Sequence, residues 1–176
     1  MTRIRVGLLP LYIKLYDDLI PSLRDRLEPF YQKIAGRLEQ EGLEVLQTEF
    51  CRVESEFAGA VRQFEQQGAD CIITLHMAYS PSLESVEVLT KTALPIIVLD
   101  TTETFSFDFK QNPDEINYNH GIHGVMDLCS LLRRNGKPYA ICAGHWQNSD
   151  VISRTVGFAR AARAAGALKR MRVGSC

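Results

Sequence analysis

The chain has 176 residues, of which 45% are hydrophobic and 23% are charged, and its formal net charge is -1. This length fits one compact domain with a core of its own. Because its net charge is near zero, the chain lacks the positive electrostatic field that tight nucleic-acid binding needs. No apolar stretch approaches the roughly 18 residues of a membrane span, and the start has no signal-peptide pattern. We therefore expect a cytoplasmic protein with no nucleic-acid or membrane partner.

The first half of the chain alternates short apolar runs with helical patterns. Ile4 to Leu9 predicts a first strand, and Leu43 to Phe50 a second. The helix between them has one apolar face, formed by Leu23, Leu27, Phe30, Ile34 and Leu38. Pro29 predicts a kink or a restart in that helix, because proline cannot donate to the carbonyl four residues back. A second helix follows, with Phe57, Val61 and Phe64 on one face.

The second half continues the alternation. Strands are predicted at Cys71 to Leu75, Pro95 to Leu99 and Tyr139 to Ala143. The helices between and after them are predicted at Ser82 to Thr92, His120 to Arg134 and Asp150 to Ala165. Helical spacing predicts an inward face on each of the last two helices. On the first of them this face is formed by Ile122, Val125, Met126, Cys129 and Leu132, and on the second by Ile152, Val156, Ala159 and Ala162.

This pattern predicts an α/β domain with a doubly wound parallel sheet. Apolar runs without alternation are typical of strands that helices cover on both faces. Five strands favour the flavodoxin-like order 2-1-3-4-5. We expect this domain to occupy residues 1–168 and residues 169–176 to open a strand that leads into a further domain.

Several common functional motifs are absent. The turn after the first strand, GLLPLYIK, has neither the dinucleotide-binding nor the phosphate-binding glycine pattern. HExxH and GxSxG are missing too. Five cysteines without CxxC spacing argue against a disulfide framework or a zinc cage. Asp17 and Asp18 follow the first strand, and we expect them to cap the next helix.

All four histidines fall just after a predicted strand or at the start of the following helix: His76, His120, His123 and His145. The carboxyl ends of parallel strands share one edge, where such folds bind ligands. We call these four residues the histidine rim. Each could instead anchor a loop by a hydrogen bond, and His120 and His123 could share a metal. Together with Trp146 and Gln147, the rim suits recognition of a polyol.

The connection from Thr101 to Asn119 is too long for an ordinary turn between a strand and a helix. Phe105, Phe107 and Phe109 alternate with polar residues there, so an extended segment places them on one side. We call them the phenylalanine strip. They either fold back onto the core of this domain or form a surface that a neighbouring subunit buries.

Three segments together resemble the N-terminal domain of the L-arabinose isomerase and L-fucose isomerase superfamily, and arabinose isomerase in particular. They are ITLHMAYSP (Ile73 to Pro81), INYNHGIHG (Ile116 to Gly124) and GHWQNSD (Gly144 to Asp150). The order and spacing of the last two carry most of the resemblance. Leu9 stands where arabinose isomerases have a substrate-contacting glutamine, and His120 also replaces a glutamine.

The resemblance implies a domain of an enzyme that interconverts aldoses and ketoses. In that family a divalent cation, typically Mn²⁺, holds the sugar oxygens, and the N-terminal domain lends residues to the active site of a neighbouring subunit in a hexamer-like assembly. His123 matches the histidine that contributes to that site. The metal ligands and the acid/base pair belong to later domains, so this chain alone is expected to bind no cofactor and to be inactive.

We therefore interpret the chain as the N-terminal part of a sugar isomerase that contributes substrate contacts and subunit contacts. The expected substrate contacts, for a monosaccharide, are His123, His120, His76, His145, Trp146 and Gln147. Two other interpretations stay open. One is a free-standing module that binds a small polar ligand, and the other is a pure oligomerisation domain that uses the phenylalanine strip.

Overall fold

The computed structural model describes residues 3–171. Its centre is a parallel five-stranded sheet with the order β2-β1-β3-β4-β5, which confirms the predicted topology. The strands are β1 (Ile4–Leu11), β2 (Leu43–Gln47), β3 (Cys71–His76), β4 (Ile96–Asp100) and β5 (Tyr139–Ala143). No helix within the described range is both long and apolar enough to cross a membrane.

Six α-helices and one 3₁₀ helix connect the strands of the described region. The α-helices are α1 (Lys14–Leu19), α2 (Ser22–Gln40), α3 (Glu54–Gln66), α4 (Leu83–Lys91), α5 (Gly121–Arg134) and α6 (Val151–Arg170). The 3₁₀ helix, Pro113–Tyr118, lies in the long connection before α5.

The helices cover the sheet on both faces and form two apolar cores. On one face, α2 and α6 pack against β-strand side chains such as Leu8 and Ile73. On the other, α3, α4 and α5 pack against side chains such as Leu9 and Ile72. Adjacent strand residues point to opposite faces, so each central strand feeds both cores. This explains why the sequence shows continuous apolar runs there.

Two local predictions about the helices are wrong: the restart at Pro29 and the capping role of Asp17 and Asp18, which both lie inside α1. Helix α2 runs through Pro29 without a restart; Pro29 lies on the exposed side, where water can satisfy the carbonyl that loses its donor. Asp17 lies inside the short helix α1 and caps no helix. Its carboxylate instead accepts hydrogen bonds from Arg24 at 2.9 Å and from Arg52 at 2.6 Å, which join α1 to α2 and to the chain after β2.

Two further differences concern the end of the chain and the edge of the sheet. Helix α6 extends to Arg170, so Lys169 and Arg170 are helical; residues 172–176 of the expected strand lie outside the described range. On α5, Ile122 and Met126 were expected to point inward, but they are 38% and 57% exposed. Ile141 of β5 is also 46% exposed, so the outermost strand is covered on only one face.

Candidate functional site

The histidine rim lies at the carboxyl edge of the sheet, as the topology requires. His76 is the last residue of β3, and His145 follows β5 by two residues. His120 is the N-cap residue of α5, and His123 lies in the first turn of that helix. The structure therefore brings all four to one end of the domain, but it gives them different environments.

His76 is buried beneath the start of α5, with 4% of its surface exposed. A Cβ atom at Gly121 would lie 2.6 Å from the carbonyl oxygen of His76, and one at Gly124 would lie 2.5 Å from its ring. Any larger residue would push the helix away. The two glycines of the HGIHG segment are thus explained by close packing of α5 over β3.

The imidazole of His76 has no hydrogen-bond partner at either ring nitrogen within the described residues. Burial lowers its pKa from 6.5 to about 3, because the surroundings stabilise the charged ring far less than water does. The ring is neutral at physiological pH and is closed off from solvent. Its expected contact with a substrate therefore finds no support in the structure.

His120 uses both of its ring nitrogens inside the domain. Nδ1 lies 2.9 Å from the carbonyl oxygen of Ile116, so it carries the proton and donates. Nε2 then accepts a hydrogen bond from the hydroxyl of Tyr16 at 3.0 Å. Desolvation lowers the pKa of His120, which favours this neutral form. His120 therefore ties α1 to the start of α5 and has no lone pair free for a metal or a sugar.

His123 is the exposed member of the rim at the start of α5. Its Nδ1 lies 3.3 Å from the carbonyl oxygen of His120 and donates to it. This fixes the tautomer, so Nε2 is the acceptor nitrogen and faces away from the helix backbone. Among the expected substrate contacts, His123 offers an imidazole acceptor that the described domain does not use.

The loop after β5 holds the other expected contacts. His145 donates from Nε2 to the carbonyl oxygen of Glu103 at 3.2 Å, and its Nδ1 accepts from the backbone of Gln147 at 3.2 Å. Trp146 is half-buried and packs edge-on against Phe30, with 6.2 Å between ring centroids. His145 and Trp146 therefore anchor the loop, and the exposed Gln147 keeps a free side chain beside them.

The phenylalanine strip does not fold back onto the core. Phe105, Phe107 and Phe109 are 68%, 57% and 93% exposed. Phe105 touches the rim, with its ring centroid 5.2 Å from that of His145. Asn119 secures the start of the segment, because its side chain accepts from the backbone of Thr104 and donates to the hydroxyl of that residue, both at 3.1 Å. The interpretation as a core element is therefore wrong.

Tyr16 was not anticipated as part of the rim. Its partner His120 lies 104 positions away in the sequence, so no local pattern could pair them. The only sequence signal for Tyr16 was its position. It carries a polar hydroxyl and follows the first strand, whose carboxyl end lies at the edge where the rim was expected. Arg26 of α2 also contacts this region, because its guanidinium lies 3.5 Å from the ring centroid of Tyr118.

A metal ion does not fit the residues that the structure describes. No group of three or more His, Cys, Asp or Glu side chains between residues 3 and 171 could hold one. The alternative that His120 and His123 share a metal fails on geometry, since both nitrogens of His120 are occupied.

The solved structures that match the chain are distant in sequence. The transcriptional repressor AscG of Escherichia coli is 14% identical, with a TM-score of 0.37, and the match covers 94% of this chain and 72% of that chain. A solute-binding protein of an ABC transporter system from Conexibacter woesei is 12% identical, with a TM-score of 0.33, over 97% of this chain and 57% of the other. No curated protein matches the chain.

The sheet order and the helices on both faces define an α/β domain of the flavodoxin-like class. The family model of the L-arabinose isomerase N-terminal domain matches residues 29–170. The chain therefore belongs to the L-arabinose isomerase N-terminal domain family. All three segments that carried the resemblance lie within the matched residues.

Proposed function

We propose that the chain is the N-terminal domain of a sugar aldose-ketose isomerase and that it presents His123 to a substrate held by a neighbouring subunit. The family match over residues 29–170 supports the reaction class. The exposed His123 with its free acceptor nitrogen supports the site. It is the single observation on which the residue assignment rests.

The proposed role of His123 is substrate binding. Moving a proton between adjacent sugar carbons needs a positioned base and an electrophile that stabilises the oxyanion. Residues 3–171 offer no metal cluster to act as that electrophile. An imidazole acceptor can hold a sugar hydroxyl by a hydrogen bond. In this proposal the divalent cation, Mn²⁺ in the family, and the acid/base groups belong to other domains of the full-length protein.

The exposed phenylalanine strip supports the proposal that a neighbouring subunit lies beside His123. Small-molecule sites enclose most of their ligand, whereas His123 lies open at the edge of the domain. An apolar strip of this exposure is typical of a surface that a partner buries. Its contact with His145 places that surface next to the rim. We therefore propose that one partner covers the strip and completes the pocket around His123.

Replacing His123 by alanine in the full-length protein is expected to lower kcat/KM for the aldose about 10- to 100-fold. Loss of a substrate hydrogen bond costs about 1–3 kcal/mol, and each 1.4 kcal/mol is tenfold in rate. The midpoint of thermal unfolding should not change, since the side chain is exposed. Ser130→Ala, on an exposed position of the same helix, is the matched control. Equal kcat/KM in His123→Ala and wild type would refute the assignment.

A further inference from the structure

Strand β5 forms an open edge of the sheet. Gly144 donates its backbone N–H to the carbonyl oxygen of Asp100 in β4. Backbone groups alternate in direction along a strand, so those of Tyr139, Ile141 and Ala143 point away from β4. The carbonyl of Ala143 accepts from Arg154 at 2.7 Å. The other outward groups have no strand to pair with among the described residues, which leaves a template for one more strand.

Apolar side chains flank this open edge on both faces of the sheet. Ile141 and Met126 are exposed on the α5 side, and Phe158 is 44% exposed on the α6 side. Strand β5, with the sequence YAICA, contains no charge or proline. Natural edge strands usually carry such residues to prevent pairing.

Two groups of opposite charge lie near the two ends of β5. Asp100 is paired in register with Ala143 at one end of the strand, and burial raises the pKa of its carboxyl group. Arg133 lies near Tyr139 at the other end, where its positive charge opposes the rise in the pKa of Tyr139 that burial causes. Neither Asp100 nor Arg133 forms an ion pair within residues 3–171.

We propose that β5 pairs antiparallel with β5 of a second copy of this chain, around a two-fold axis at Ile141, to form a continuous ten-stranded sheet. This arrangement sets the large Tyr139 opposite the small Ala143 of the other copy, whose carbonyl exchanges its Arg154 donor for the backbone N–H of Tyr139. It also brings Arg133 of one copy towards the unpaired Asp100 of the other. The surface differs from the phenylalanine strip and does not depend on the proposed reaction.

A cysteine at the axis tests the pairing directly. Residues that face each other as a hydrogen-bonded antiparallel pair have Cα atoms about 5.5 Å apart, within the range of a disulfide. Ile141→Cys is therefore expected to give a covalent dimer on mild oxidation. Wild type and Leu83→Cys, at a position of α4 that is 75% exposed against 46% for Ile141, should remain uncrosslinked. An Ile141→Cys chain that stays monomeric on a non-reducing gel would overturn the proposal.

Charge reversal provides a second test that separates misfolding from loss of contact. In sedimentation equilibrium, Asp100→Arg and Arg133→Asp should each weaken dimerisation about tenfold. The double variant should restore it, since the pair is re-formed with the signs exchanged. A wild type that is monomeric at about 100 µM, well above a micromolar Kd, or a double variant no tighter than the single ones would contradict the pairing.

Discussion

Acidification below pH 6.5 is expected to destabilise the domain through His76 by about 1.4 kcal/mol per pH unit. The unfolded chain binds a proton at His76 near pH 6.5, whereas the pKa in the folded domain is about 3. Between these values the unfolded state holds more protons, so the free energy of unfolding falls as pH falls. The total loss through this one group approaches about 5 kcal/mol at pH 3.

Urea unfolding at a series of pH values measures this effect. His76→Leu keeps an apolar side chain at the site and removes the titrating group, so its stability should depend less steeply on pH between 6.5 and 3. His123→Ala removes an exposed histidine instead and should follow the wild-type curve. If His76→Leu and wild type lost stability in parallel, the burial of His76 would not be the cause.

Gly121→Ala is expected to destabilise the domain by about 1–3 kcal/mol, the range of overpacked core substitutions. The new Cβ would lie 2.6 Å from the backbone carbonyl oxygen of His76, and a backbone atom cannot move aside as a flexible side chain can. Helix α5 would have to lift from β3. The same shift would displace His120 and weaken its bond to Tyr16.

Gly36→Ala provides the matched control for this substitution. Gly36 lies within α2, and a Cβ there would meet nothing within 4 Å. Alanine is the better helix former, so this variant should gain up to about 1 kcal/mol. The midpoint of urea unfolding, with an unchanged slope, reports both effects. Destabilisation of Gly36→Ala, or a stabilised Gly121→Ala, would contradict the packing described for α5.

The sheet could be predicted because its signals are local. The run Cys71 to Leu75 has no polar side chain except Thr74, and continuous apolar character is what two-sided burial demands. The helical periodicity of Phe57, Val61 and Phe64 likewise depends only on neighbouring residues. The order of the strands followed from their number, since five parallel strands favour the flavodoxin-like order.

The individual roles of the histidines could not be predicted because they depend on contacts between distant elements. The Nε2 atom of His120 is engaged only because Tyr16 reaches it from α1. His76 is buried only because two glycines let α5 approach. Only Ile122 and Met126 of the predicted inward positions on α5 were wrong, for a similar reason. Helix α5 packs on β3 and β4, and periodicity along the helix does not show how much of its surface the sheet covers.

The most direct test of the proposed function is an isomerisation assay of the full-length protein with Mn²⁺. Aldoses that include L-arabinose and L-fucose would be supplied, and the ketose formed would be measured. The account predicts conversion of at least one aldose to its ketose by the full-length protein and none by residues 1–176 alone. Turnover of an aldose by residues 1–176, or no conversion of any aldose by the full-length protein, would contradict it.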